Sequence, residues 1–345
     1  MKSTTMLCVV PLATALAAVP ALGQEQGGRE AMQPTEITEW TVPWAGSRPR
    51  DPYLGPDGKV WFVGQEGNYV ANLDPNSGQF KRYEIDPGTH PHNLIVDARG
   101  QVWYAGNRNG MIGRLDPASG AITRYPMPDS AVRDPHTLVF DHDGNIWFTA
   151  QQSNYVGKLT VATGKVQLIR VPTERARPYG IKIDSKNRPW FNEFGTNRIG
   201  MIDPRTMQIR EYPLPNQGTK DRRIQITPDD MVWYGDYSRG YLGRLNPANG
   251  EVSEWVAPSG ARSLPYGMAS DARGRVWFVE TGVQPNQLVG FDPATSRFFS
   301  ITPILPSGGG TVRHMYYHPP TGDIWFGTDA NTIGRAKTTT GRPSI

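Results

Sequence analysis

Short apolar runs, closed at regular intervals by Gly, Pro, Asp and Asn, dominate the chain. In one stretch Asn93 to Val96 is followed by a turn at Ala98-Arg99-Gly100, then by Val102-Trp103-Tyr104 and a turn from Asn107 to Gly110. Met111 to Leu115 is the next run, Asp116 to Gly120 the next turn, and Ala121 to Tyr125 the last run. Runs this short, bounded by turn residues, predict β-strands, and none can bury a face alone. The same unit recurs. Trp61, Trp103, Trp147, Trp190, Trp233, Trp277 and Trp325 each open a Trp-Phe or Trp-Tyr pair, at spacings of 42, 44, 43, 43, 44 and 48 residues. A period near 43 residues with four strands per repeat predicts a radial stack, an all-β, seven-bladed β-propeller with four-stranded blades.

The seventh repeat lacks a fourth strand after Ile333-Gly334-Arg335, whereas Glu36 to Trp40 at the other end matches Val252 to Trp255. The N-terminal strand is therefore expected to complete the last blade and remove the open edges of the ring. The regular Trp and Tyr residues are read as packing between blades. They speak to fold and not to function.

Residues 1–23 read differently from the rest. Lys2, the apolar stretch Met6 to Val19 and the small residues Ala21 and Gly23 form the pattern of an export signal, with a single propeller domain over 24–345. That predicts a periplasmic or secreted protein, and no later stretch is long enough to span a membrane. The single cysteine, Cys8, lies within this segment, so disulfides, zinc-thiolate sites and cysteine nucleophiles are not expected in the domain. The net charge of +4 comes from scattered basic residues, which argues against a nucleic-acid surface. A small-molecule or peptide-like ligand and a monomeric protein are expected.

Function is sought where the repeats differ. Eleven residues before each repeat Trp stand Arg50, His92, His136, Tyr179, Arg222, Tyr266 and His314, mostly after proline. In a closed ring these positions converge on one mouth of the central channel, where gathered polar groups mark a binding or active site. The plainer alternative is that they bind water and neighbouring backbone. Three residues after each Trp, carboxylates collect in the later repeats at Glu193, Asp236 and Glu280, with Asp329 near the equivalent place. Oxygen ligands without cysteine favour Mg²⁺, or else Ca²⁺, and the competing reading pairs these acids with Arg50, Arg222 or Arg313. No hydrolase elbow or phosphate loop is present.

The recurring pattern in Pro178-Tyr179-Gly180-Ile181, Trp190-Phe191-Asn192-Glu193, Arg198-Ile199-Gly200 and Glu211-Tyr212-Pro213-Leu214-Pro215 resembles the virginiamycin B lyase family over about residues 36 to 336. The resemblance implies a C–O lyase that opens a cyclic ester or depsipeptide antibiotic by metal-assisted elimination. It assigns His314 as general base and Glu280 and Asp329 to the metal. Tyr266 stands where the family has an additional histidine, and Val312 where an acidic residue is expected. Arg50, His92, His136, Tyr179 and Arg222 are then the substrate-binding positions. The alternative from another class is a non-catalytic exported propeller that binds a carbohydrate, peptide or protein at the same mouth.

Overall fold

The computed structural model describes Met1 and residues 32–338. The proposed export signal lies outside the described residues. Seven four-stranded antiparallel sheets form the blades, and the only helical element among the described residues is one 3-10 turn at Gly260–Arg262. The innermost strands are Pro49–Leu54, Pro91–Val96, Pro135–Phe140, Pro178–Ile183, Asp221–Ile226, Pro265–Ser270 and Val312–His318. Each contacts the next around the ring, and the first contacts the last. The strand Ile37–Thr41 pairs with Thr332–Lys337, with Trp40 opposite Ile333, so the N-terminal strand closes blade 7 as expected. Among the described residues no helix is long and apolar enough to cross a membrane.

The repeat motif has a physical cause in each blade. The seven repeat tryptophans are at most 2% exposed and pack into the core of the following blade, Trp103 for instance against Leu138, Ile146 and Phe148. Where the preceding turn carries Asp, its side chain ties turn to core. Asp141 accepts the backbone N–H groups of Asp143 and Asn145 and the indole N–H of Trp147. The turn's third residue has positive φ, as at Gly144 (φ 78°), which explains the recurrent glycine there.

The aromatic residue after each Trp explains the Ile-Gly or Leu-Gly pattern of the third strand. Phe191 lies directly opposite Gly200, and a Cβ on that glycine would stand 2.1 Å from the ring. On the other sheet face, third-strand arginines slot between aromatic rings. Arg335 is 5.4 Å from Trp40 and 5.7 Å from Trp325, a cation–π sandwich built partly by the closing strand.

Every inner strand carries a bulge near its channel-mouth end. Such a bulge re-aims side chains, and here it displaces two successive residues from the ladder in each blade, Asp51 and Pro52 in blade 1, where Arg50 still pairs with Val63. The candidate site is built at these bulges.

Candidate functional site

The register of the inner strands defines two stacked rings. Residues paired across the bulge ends are Pro49 with Gly64, Pro91 with Gly106, Pro135 with Ala150, Pro178 with Glu193, Asp221 with Asp236, Pro265 with Glu280 and Val312 with Thr328. The residue after each forms the mouth ring: Arg50, His92, His136, Tyr179, Arg222, Tyr266 and Arg313. The next forms the inner ring: Asp51, Asn93, Thr137, Gly180, Arg223, Gly267 and His314.

One position departs from the expectation. His314 belongs to the inner ring, and Arg313 holds the mouth position in blade 7. Counting back from Trp325 fails there because the first turn of blade 7 is one residue longer. Trp325 pairs with Tyr316, nine positions away, whereas Trp147 pairs with Val139, eight away. Thr328 likewise takes the place expected for Asp329, which lies one residue further out.

The mouth-ring side chains do converge. The His92 and His136 rings are 3.4 Å apart by centroid, and Tyr179 is 4.3 Å from His136. The hydroxyls of Tyr179 and Tyr266 are hydrogen-bonded across the channel. Arg222 lays its guanidinium 3.9 Å from the Tyr266 ring, 4.3 Å from Tyr237 and 5.0 Å from Phe194. Tyr266 is fully buried beneath this cover.

Below them Arg223 crosses the axis. From blade 5 it donates to the Arg313 carbonyl (2.9 Å) and the Thr137 hydroxyl (3.2 Å), and it lies 3.7 Å from the Asp51 carboxylate. Asp51 also receives Arg50 Nε at 3.0 Å and Asn93 Nδ2 at 2.9 Å. Lys182, His314 and Thr137 line a small cavity beside Arg223. Sequence reasoning missed Asp51, Lys182 and Arg223, and it named Arg313 as a partner for the acids but not as a member of the mouth ring. For Asp51 and Arg223 the position following the ring, read down the repeats, carries the signal: it is polar or glycine in the first six repeats.

Charge sets the protonation states. Burial raises the Asp51 carboxyl, but Arg50, His314 and Arg223 outweigh it and hold the group well below the usual carboxylate range. Burial, then the Arg50 charge, pushes His92 well below its ordinary value. His136 follows from burial and Arg223. His314 falls to about 3, because burial, Arg223 and Lys182 overcome the pull of Asp51. All three imidazoles are therefore neutral near pH 7. Burial also raises the Tyr179 phenol, but Arg223, Arg222, Arg50 and the bond from Tyr266 bring it down to about 8, while burial and the Tyr179 charge raise Tyr266.

The carboxylates of blades 4 to 7 face elsewhere. Glu280 is fully buried and accepts both the backbone N–H and the hydroxyl of Ser259. Asp236 takes three backbone N–H groups, from Lys220, Ser238 and Arg239. Asp329 pairs with Arg313 through Nε at 3.1 Å, which is the competing arrangement considered above. Glu193 and Asp221 lie buried, with Oε1 of the first and both oxygens of the second lacking partners. Burial and the Glu211 charge push Glu193 up to about 8, and burial and Glu193 raise Asp221 well above its ordinary range.

Glu280 and Asp329 therefore do not fit an Mg²⁺ or Ca²⁺ centre. Hard cations require several converging oxygens, and these two carboxylates are engaged by a serine and a guanidinium. Among the described residues no group of three or more His, Cys, Asp or Glu is arranged to hold a metal.

Comparison with known proteins accords with this architecture. A streptogramin B lyase structure aligns with a TM-score of 0.79 and 27% identity, covering 89% of this chain and 99% of that one. Virginiamycin B lyase from Staphylococcus aureus aligns with a TM-score of 0.79 and 24% identity, covering 88% and 99%. The extracellular domain of a putative hybrid two component system from B. thetaiotaomicron shares the fold at 0.66 and 16% identity, covering 91% of this chain and 44% of that one. No curated protein sequence matches the chain. The sequence profile described as the virginiamycin B lyase family matches residues 24–187 and 110–342, and the chain belongs to that family.

Proposed function

We propose that this protein is an exported C–O lyase that breaks an ester- or ether-type bond of a small or peptide-like substrate by elimination at the channel mouth. The observation that carries the reading is the bonded Tyr179–Tyr266 pair set among Arg50, Arg222 and Arg223. Elimination needs a group that takes a proton from carbon near neutral pH, a cationic surface for the charge that develops on the adjacent carbonyl, and a donor for the departing oxygen. Tyr179, with its phenol brought down to about 8, serves as the proton acceptor. Arg222 and Arg313 face the developing oxyanion. Tyr266, whose phenol stays protonated, donates to the leaving oxygen as the C–O bond breaks and the C=C bond forms. Arg222 covers Tyr266, so turnover requires that side chain to move.

His314 is less suited to the role of base that the resemblance assigns. An imidazole held at about 3 has little affinity for a proton at pH 7. It lines the small cavity beside Arg223, with its Nδ1 left without a partner. Residues His92 and His136 flank the substrate as neutral hydrogen-bonding surfaces. The protein works as a monomer in this reading.

The alternative is a binding propeller without chemistry. The closed state of the mouth favours it, since Tyr266 is fully buried and Tyr179 only 5% exposed. A turnover assay separates the two. Elimination opens a cyclic ester such as a streptogramin B without change of mass, whereas hydrolysis adds one water. The purified protein should yield the ring-opened isomer, and Tyr179→Phe should lower kcat by about 10²-fold or more with an unchanged thermal midpoint. Absence of an isomeric product from streptogramin B and from simple β-acyloxy esters leaves the binding reading in place.

A further inference from the structure

The charges of the two rings do not balance. Five cations converge on the hub, Arg50, Lys182, Arg222, Arg223 and Arg313, and among the described residues only Asp51 and Asp329 form ion pairs with them. Arg50 and Arg223 share Asp51, and Arg313 holds Asp329. Among the described residues neither Arg222 nor Lys182 has an acidic group within 4.0 Å. The neighbouring acids stand apart from this set: burial and neighbouring charge push Glu193 up to about 8 and raise Asp221 well above its ordinary range, and Asp236 is tied to Arg239.

Donor atoms are left over as well. Arg50 Nη2 and Arg222 Nε are buried without hydrogen-bond partners, and Arg223 Nη2 has none beyond its 3.7 Å ion pair with Asp51; the Arg50 and Arg223 side chains are at least 95% buried. Charged donors removed from water and left unpaired are costly, and such groups call for a ligand. The aromatic cage explains how Arg222 is kept ready. The Tyr266, Tyr237 and Phe194 rings stand 3.9, 4.3 and 5.0 Å from the guanidinium carbon, while Nε, one of the edge donors with which a guanidinium grips an oxyanion, has no partner.

We propose that the hub binds an oxyanion, a carboxylate or phosphate group carried by the substrate, and that Arg222 is the side chain that grips it, with Arg223 and Arg50 supplying the charge beneath. This deepens the elimination reading and rests on it for the word substrate. A negatively charged group α to the proton to be removed makes that proton less acidic. Clamping the group by a guanidinium offsets the effect without any change in the reacting bonds. Phe194 and Tyr237 at the rim fit a ring or apolar body attached to the anion.

Calorimetric titration of the full mature protein at pH 7 tests the proposal with three probes: D-glucuronate, the uncharged D-glucose, and inorganic phosphate. Glucuronate should bind at least 10-fold more tightly than glucose, and the affinity should fall as sodium chloride is raised. Binding of phosphate alone locates the recognition in a free oxyanion, and preference for glucuronate locates it in an organic acid; either result supports the site. Arg222→Gln should weaken anion binding at least 10-fold and Arg222→Lys should restore part of it. Exposed Lys186→Gln should leave it unchanged. Equal affinity for glucose and glucuronate together with no binding of phosphate, or anion binding indifferent to Arg222→Gln in a protein of normal thermal midpoint, overturns the proposal. Anion binding without any elimination product would retain the anion site and refute the lyase reading, whereas elimination of neutral esters with no anion binding would do the reverse.

Discussion

Replacing Glu193 by Gln tests the electrostatic account of the later blades. Glu193 is fully buried, its Oε1 has no partner, the Glu211 charge opposes its ionisation, and its own charge in turn raises Asp221. The folded protein keeps the Glu193 proton up to about pH 8, while an unfolded chain releases it near 4.5. The folded state therefore binds more protons than the unfolded state between these values, so stability is highest at the acidic end and falls as pH rises through the window. One proton sets a steepest slope of about 1.4 kcal/mol per pH unit, and the full window amounts to on the order of 3 to 5 kcal/mol. For a domain of this size, an unfolding entropy of about 2 cal/mol/K per residue converts this to a loss of roughly 5 to 8 °C. Glu193→Gln keeps the shape and the contact to Thr196 but cannot ionise, and it removes one of the charges that oppose Asp221. Thermal midpoints followed by intrinsic tryptophan fluorescence at several values from pH 5 to pH 8.5 should decline for the native protein and flatten for the variant, with the variant the more stable at pH 8.5. A native profile that is level or rising across this range, or a variant that declines in parallel, would refute the reasoning.

Two further outcomes follow from the packing. Gly200→Ala should destabilise by about 2 kcal/mol or more, because the added Cβ meets the Phe191 ring at 2.1 Å and that ring is fixed in the core; denaturant titration measures it. Asp51→Asn should cost about 3 to 5 kcal/mol in the same assay, since Arg50 and Arg223 then share the buried hub without a counter-charge. An oxyanion in the buffer should recover part of that loss if it reaches the same guanidiniums.

The sequence by itself determined the wheel. Tryptophans at a period near 43 residues, turn residues between short apolar runs, and Glu36 to Trp40 standing in for a missing fourth strand are local signals, and each was matched by strands pairing in the expected order. The convergence of Arg50, His92, His136, Tyr179, Arg222 and Tyr266 was also legible, because blades 2 to 6 place the bulge at the same offset from the tryptophan and Arg50 of blade 1 keeps the same distance from Trp61.

Only the tertiary structure decided which neighbours meet and with what charge. A turn longer by one residue moved His314 inward and put Arg313 in its place, since strand register, and not distance along the chain, sets which side chain faces the mouth. Whether Glu280 and Asp329 meet a metal, a serine or an arginine depended on the segment that leads into blade 6 and on the inner strand of blade 7. The same holds for Arg223, which reaches blades 1, 3 and 7 from blade 5. Coulomb energies depend on separations in space and on exclusion of water, and neither is encoded by spacing within a repeat.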